Sequence, residues 1–507
     1  PFLDVIVAVM LSLLNLCFNK IKKEIIMNVD YFKSALLHHS KGNWNKAKEI
    51  YEHILKSNPN NYLVLQNYGP LLSQLKEYKL AKNIFEKSLK IKPKDPLLLY
   101  NYAKFYHDQR IFEKAITLYK ESYKIEPRNN FSMYNIGNIY FSINKLDLAI
   151  SAYKNSLKNN PKNFLAYNNL ANSYKQTGNF NEAIETYKKS IEIKNNNPDV
   201  HVNYGTQLLM MENFEKGFEE YEWRKKSKSF QDYINYEKLS LKSKIWDGES
   251  LDDKKLLVIS EQGIGDLIQF TRYLYKIKNT YKVEITIILK SKKFLHFFDK
   301  KMFNLISDIN PIPEHHYHIH LLSIPRIFYN KNNLFVSPVN FLQKKDDLEK
   351  KWAEILKKYK GIKIGINSKT SLIKKNIPFD YFLNLASSFD FTFFVLQKEI
   401  DNKKIDKFKN IIFFKNIDKS ENAFIDSIQI IKQLDLVITA DTALAHLSGT
   451  LGKKTWIPLP FVSDWRWFLD NKSTKWYNNV SLYRSKKIDN WENSFKMINE
   501  DLKKTFK

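Results

Sequence analysis

The sequence predicts two architectures in succession: a solenoid of paired helices, then an α/β region of parallel sheets flanked by helices. Three observations carry this. First, alanine recurs every 34 residues at Ala47, Ala81, Ala115, Ala149 and Ala183, with Gly217 in the sixth slot. A large aromatic follows each of these positions four residues later, at Tyr51, Phe85, Tyr119, Tyr153, Tyr187 and Tyr221. Second, that pattern stops after the sixth unit. Third, short apolar runs then alternate with amphipathic helical stretches, the signature of parallel strands covered on both faces.

Each unit reads as two antiparallel helices. The first carries a small residue (Gly69, Ala103, Gly137, Ala171, Gly205) and the second carries the periodic alanine, so the two backbones approach closely while the aromatics fill the groove beside them. Pro59, Pro93, Pro127 and Pro161 close the first four units, because proline cannot continue a helix. Period and residue types together resemble the tetratricopeptide (TPR) repeat. About six repeats are expected over residues 28–228. Such units bury their apolar faces only by stacking, and their concave surface is expected to take a protein or peptide partner.

Length and composition set outer limits. At 507 residues the chain has room for about three domains. The formal charge of +27 is almost all lysine, scattered rather than massed, and reads as a solvated surface. It invites comparison with nucleic-acid binders, but nucleic acid is not the expected partner. Contact with anionic membrane surfaces or anionic sugar donors suits it better. Cys17, the single cysteine, excludes an intrachain disulfide and fits a reducing compartment, so the expected location is cytoplasmic, including the cytoplasmic face of an inner membrane. Val5 to Phe18 is apolar but shorter than the roughly 20 residues that span a bilayer. Its positive flank follows rather than precedes the apolar run. Residues 1–27 are therefore an uncertain segment with no assigned function.

In the second half, residues 229–250 read as a linker. Strands are expected at Lys255–Ser260, Val283–Leu289, Lys363–Asn367, Phe391–Leu396, Leu434–Thr439 and Thr455–Leu459. A connecting helix over 346–360 divides the region into halves at 251–345 and 361–507.

Four motifs are distinctive: Tyr221-Glu222-Trp223-Arg224, Ser260 to Tyr273 around Gly263-Ile264-Gly265-Asp266, Leu434 to Gly449 around Asp441-Thr442, and Trp456 to Trp467 ending in Asp464-Trp465-Arg466-Trp467. In this order they resemble the glycosyltransferase domain found behind TPR arrays in many bacterial proteins. That domain is similar to the heptosyltransferases of glycosyltransferase family 9 and, more distantly, to TPR-linked protein O-GlcNAc transferases. The resemblance implies a GT-B architecture of two Rossmann-like halves, a nucleotide-diphosphate sugar as donor, an inverting transfer to a hydroxyl, and no further cofactor.

Physical chemistry suggests roles for individual residues. Gly263 and Gly265 allow a tight strand-to-helix turn. The loop is a poor dinucleotide fingerprint, since Ile268 stands at the third glycine position and Asp266 would repel phosphate. A carboxylate there can instead take the proton of an acceptor hydroxyl; the family resemblance implies the same role for Asp266. The alternative is a helix cap. Gln262, Gly263, Gly265 and Gln269 form the expected acceptor-side loop. On the donor side, a helix opening at Thr442 and Ala443 presents N–H groups to a diphosphate. His446 lies one turn inside, and Asp441 is read as an N-cap or ribose contact. Many family members carry glycine at the position of Ala443. Lys369, with Lys374 and Lys375 nearby, can neutralise phosphate, and Gln397 is either a nucleotide contact or a solvent-facing polar residue. Asp464 and Arg466 lie on the cleft side of the last strand, with Arg466 able to pair an anion and the flanking tryptophans able to pack.

His315, His316, His318 and His320 cluster in sequence, but no cysteine or spaced carboxylate accompanies them, and no metal site is expected. The leading reading is a glycosyltransferase whose repeats hold the acceptor or a partner. The competing reading is a non-catalytic TPR adaptor with a degenerate transferase domain, suggested by the altered turn at Ser368 and by Ala443.

Overall fold

The computed structural model describes residues 10, 29–128, 131–228, 230, 241–307, 312–342, 345–370, 376–419, 421–469 and 472–506. Almost all of the 1–27 segment, with Cys17, lies outside the described residues, as do Lys374 and Lys375. None of the described helices is long and apolar enough to cross a membrane. The chain divides into two compact units, with the boundary between Ser173 and Tyr174.

In the first unit, helices run over residues 29–40, Trp44–Ser57, Tyr62–Gln74, Tyr78–Ile91, Pro96–Asp108, Phe112–Ile125, Phe131–Ser142 and Leu146–Asn159. The periodic alanines Ala47, Ala81, Ala115 and Ala149 are fully buried, as are the aromatics Tyr51, Phe85 and Tyr119. The paired glycine is a steric requirement in two repeats. A methyl on Gly69 would sit 2.9 Å from the Phe85 ring, and one on Gly137 2.5 Å from the Tyr153 ring.

Two further periodic devices were not read from the sequence. Asn61, Asp95 and Asn163 each accept a hydrogen bond from the backbone N–H three residues on, capping the first helix of a repeat. The turn between the two helices of a repeat uses a left-handed residue at Gly42, Lys76, Arg110 and Asn144, all with φ near +60° to +80°. Gly42 is the one glycine of these four, so Lys76, Arg110 and Asn144 carry a conformation that L-residues adopt at a cost.

A second pattern lies outside the core. Val29, Leu63, Leu97, Phe131 and Leu165, spaced by 34 residues, are 41–57% exposed. Each sits in the first turn or two of the first helix of its repeat. They form an apolar series on the solvent side that core packing does not explain.

The second unit holds the end of the array and two sheets. Its last helix pair, Pro198–Met210 and Phe214–Tyr221, packs on the sheets rather than standing apart: Phe214 meets Tyr329, Phe335 and Phe468, and Phe218 meets Trp465. The first sheet contains β1 (Lys244–Ile245), β2 (Lys254–Ile259), β3 (Val283–Ile288), β4 (Asn304–Ile306) and β5 (Tyr317–His320) in the order β1-β5-β2-β3-β4, all parallel. Because β1 lies inside 229–250, the stretch read as a linker already contributes a strand.

The second sheet contains β6 (Lys363–Asn367), β7 (Thr392–Val395), β8 (Ile411–Phe413), β9 (Leu436–Thr439), β10 (Thr455–Leu459), β11 (Ser473–Thr474) and β12 (Tyr477–Arg484). Their order is β11-β12-β10-β9-β6-β7-β8, parallel except for β11. A helix at Asp346–Lys357 lies between the two sheets in sequence.

Both faces of the second sheet are buried, as near-continuous apolar strands require. Phe393 and Val395 point to a core shared with Phe495, Ile498 and Leu502 of the C-terminal helix, while Phe394 and Leu396 point to the opposite core. That opposite core is continuous with the first sheet and with Phe214 and Phe218 of the last repeat. The α/β region and the final repeat therefore share one hydrophobic interior.

The left-handed turns give a test. Lys76→Gly should stabilise the repeats by about 1 kcal/mol, and Lys76→Val should destabilise them. Urea denaturation followed by far-UV circular dichroism would check both directions.

Candidate functional site

In both sheets the chain winds outward from a central strand and then reverses. In the second, β6, β7 and β8 run one way, and β9, β10 and β12 run the other. The reversal leaves a crevice beyond the carboxyl ends of β6 and β9, where open α/β sheets bind ligands. Asn367, at the end of β6, bridges it: its amide donates to Thr439 Oγ1 at 3.1 Å and Thr442 Oγ1 at 3.4 Å. In the first sheet the reversal falls between β2 and β5.

That first crevice is filled. Arg224, from the turn after the last repeat, lies buried there with Nε donating to Glu261 Oε2 at 3.0 Å and Nη2 to Glu261 Oε1 at 2.7 Å. Its fork also meets Glu222 at 2.8 Å and Ser323 Oγ at 2.9 Å, while Glu261 Oε1 accepts the Leu322 N–H. A buried pair of this kind persists because every lone pair and proton is met.

The helices that follow β2 and β9 bring their N-termini together. Gly263 caps the helix Ile264–Thr280, and Thr442 caps Ala443–Thr450 through its hydroxyl, which accepts from Leu444 N. A methyl on Gly265 would lie 3.0 Å from His446 Cδ2 and 3.5 Å from the Ala443 Cα. Gly265 thus lets the two helix starts approach closely.

Asp266 is held at both oxygens. Oδ2 accepts the Gly263 N–H at 3.0 Å, the capping role considered from sequence, and Oδ1 pairs with the Arg466 guanidinium. Burial pushes the Asp266 carboxyl above the usual carboxylate range, with Arg466 and the Gly263 N–H acting against it.

The remaining expected residues divide sharply. Asp441 is not the N-cap; Thr442 is, and the Asp441 carboxylate accepts from Trp467 Nε1 at 2.7 Å. His446 is buried, hydrogen-bonded through Nδ1 to the Tyr477 hydroxyl at 3.1 Å and stacked on Trp467. Burial, reinforced by the Arg466 charge, holds its imidazole down at about 3, so it is neutral near pH 7. Gln262 takes a left-handed backbone with φ 58° and donates to the Tyr221 hydroxyl.

Gln269 is not in the loop. It is fully buried within the Ile264–Thr280 helix, and its side-chain amide has no hydrogen-bond partner among the described residues. Gln397 is not solvent-facing: its Oε1 accepts from Ser368 N and Oγ, which fixes the turn after β6. Lys369 is exposed beside Glu399. Trp465 and Trp467 are buried and pack, while Asp464 caps the Trp465–Trp467 turn and pairs with Arg466.

The histidine run separates as well. His318 bonds Ser243, His316 accepts the Lys255 N–H, and His320 is buried against Phe230, with burial holding it at about 4. No group of three potential metal ligands occurs among the described residues.

Sequence reasoning quoted Arg224 and Arg272 within motifs without giving either a role. Arg272 is buried, with Nη1 donating to the carbonyls of Val336 at 3.0 Å and Trp476 at 2.6 Å. A signal was present: only seven of the 81 basic residues are arginine, and Arg224, Arg272 and Arg466 are three of them. A cavity of about 350 Å³ adjoins the first loop, lined by Ser260, Gln262, Gly263, Leu267, Lys290 and Phe294 among others.

Comparison with known proteins speaks to the repeats. Family models for the TPR and tetratricopeptide repeat match residues 31–61, 63–95, 137–178 and 164–197. The N-terminal region is a run of tetratricopeptide repeats. Among solved structures, PilF of Pseudomonas aeruginosa is 18% identical with a TM-score of 0.37, covering 41% of this chain and 97% of its own. PilW, a type IV pilus biogenesis factor, is 19% identical with a TM-score of 0.37, covering 41% and 97%. YrrB, a TPR protein with an unusual peptide-binding site, is 18% identical with a TM-score of 0.30, covering 35% and 91%. No curated protein matches the chain.

Two outcomes test the site's energetics. Glu261→Gln, which strands Arg224, should cost about 3–5 kcal/mol in chemical denaturation. The neutral folded histidines have a second consequence. Their unfolded counterparts bind protons below about pH 6.5, so stability present above that pH should fall as pH drops toward 4. His446→Gln should flatten that slope in pH-dependent melting.

Proposed function

We propose that the α/β region is a GT-B glycosyltransferase of the family 9 type, moving a sugar from a nucleotide-diphosphate donor to a hydroxyl with inversion, and that Asp266 is its base. The observation that carries this reading is the meeting of the two helix N-termini, which brings Asp266 and the Thr442 cap to one locality. Donor diphosphate belongs at the start of the Ala443–Thr450 helix, where N–H groups and the helix dipole favour negative charge. Thr442 would contribute its hydroxyl, oriented by Asn367. Stabilising the departing nucleotide there supplies the electrostatic part of catalysis. On the other side, the cavity beside Gly263 offers the acceptor a place with apolar walls and a lysine at its edge.

Asp266 then removes the acceptor proton as its oxygen attacks the anomeric carbon and the bond to the diphosphate breaks. A raised carboxyl suits a base that must accept a proton near neutral pH. His446, neutral and buried, orients the donor loop rather than moving protons. TPR repeats are a protein-interaction architecture, and the exposed series Leu63, Leu97, Phe131 and Leu165 supports a peptide-bearing acceptor or partner on the first helices. Nucleotide sugars and a reducing environment put the reaction in the cytoplasm, with the surplus lysines available to an anionic membrane surface.

One observation favours the adaptor reading: both Asp266 oxygens are already engaged. A nucleotide-sugar panel read by thermal shift, followed by transfer assays, separates the two. The enzyme predicts stabilisation by at least one donor and a loss of about 10²–10⁴ in turnover for Asp266→Asn. Failure of every donor to move the melting point would leave the repeats as the working part.

A further inference from the structure

Asp266 and Arg466 belong to different sheets. Asp266 opens the helix after β2, whereas Arg466 sits in the Trp465–Trp467 turn after β10. The guanidinium divides its donors between two carboxylates: Nη1 reaches Asp464 Oδ1 at 2.8 Å and Nη2 reaches Asp266 Oδ1. Its Cζ lies 4.6 Å from the Trp465 ring centroid and 5.6 Å from that of Phe270. Asp464 also accepts the Arg466 N–H at 3.1 Å, fixing the turn that presents the side chain. Arg466 is thus a rigid presentation of charge, only 8% exposed at its side chain.

The groups facing Asp266 are Arg466, Asp464, Glu261 and Tyr221, with His446 next to Gly265 one residue away. Glu261 is neutralised by Arg224, Asp464 carries like charge, and His446 is uncharged near pH 7. Arg466 is therefore the cation that opposes the burial of the Asp266 carboxylate. Without it, a buried carboxylate takes up a proton, and a protonated acid accepts no second one.

We propose that Arg466 is a positioning residue, reaching from the second sheet to keep Asp266 of the first sheet ionised and aimed. This deepens the reading of Asp266 as proton acceptor and rests on it for its functional meaning. It also makes the basicity of one half depend on the placement of a loop in the other. A lysine keeps the charge but loses the planar fork and the stacking, so Arg466→Lys is not a conservative change.

The test reads the carboxyl directly. The full chain labelled with ¹³C at aspartate carboxyls is titrated by NMR, and Asp266 is identified as the resonance missing from Asp266→Asn. Arg466→Gln should raise the proton affinity of Asp266 at least about tenfold, with Arg466→Lys in between. Asp464→Asn serves as a control, since it removes a like charge beside Asp266 as well as a competitor for Arg466 and should lower the proton affinity on either account. Arg466→Lys decides the matter if Arg466→Gln does not fold. An Asp266 titration unmoved by Arg466→Lys or by a folded Arg466→Gln overturns the proposal. Where a donor is turned over, the acid limb of kcat/KM should move to higher pH in Arg466→Gln. Absence of turnover in the wild-type chain counts against the transferase reading alone, since the titration proceeds without a substrate.

Discussion

A guanidinium removed from water needs carboxylates, carbonyls or aromatic faces around it, and a chain that buries several of them must build its loops accordingly. Arg224, Arg272 and Arg466 impose that condition on the α/β region. Arg224 ties the segment after the last repeat to the end of β2, Arg272 gathers the carbonyls of Val336 and Trp476, and Arg466 joins the loops after β10 and β2. Lysine, used nearly everywhere else in this chain, has neither the fork nor the weaker hydration that such positions need. The sheets supply the bulk of the apolar burial. The arginines decide which loops stand next to which.

Two sheets with the same winding rule have thereby come to different uses. The crevice of the first is closed by a side chain from the repeat side, satisfied on all sides by Glu261, Glu222 and Ser323. The crevice of the second is bordered by Asn367, Thr439 and Thr442, small polar groups that bond among themselves. The first crevice is therefore occupied by a charged side chain of the protein itself, and the second is lined by uncharged polar groups. The N-termini of the helices after β2 and β9 stand side by side, because Gly265 admits the close approach of Ala443 and His446.

How much of this could be read in advance depended on sequence distance. The 34-residue period was legible because each repeat restates the same packing problem, and β6 and β10 were placed to the residue because Lys363–Asn367 and Thr455–Leu459 are short segments with apolar centres, set between helical stretches. β12 escaped notice: Tyr477-Asn478-Asn479-Val480-Ser481-Leu482 mixes polar residues into a strand buried by its neighbours rather than by its own composition. Asp266 and Thr442 could be placed at strand-to-helix turns because glycine and threonine mark such turns locally. The partner of Asp266 lies 200 residues away, and nothing near either residue announces the pairing. The burial of Gln397 and Gln269 was not foreseen for a related reason, since an amide's burial is set by tertiary surroundings that its own segment does not reveal.

The plugging of the first crevice by Arg224 has a bearing on how such a chain can be rearranged. Tandem repeats are ordinarily the most exchangeable parts of a protein, gained, lost or shuffled as modules. Here the final module owns a piece of the neighbouring fold's interior, so a cut placed after it at the obvious seam would leave Glu261 stranded in a dry hole. Recombination should therefore be free toward the N-terminal end of the array and barred at its last unit, which travels with the sheets as part of their foundation.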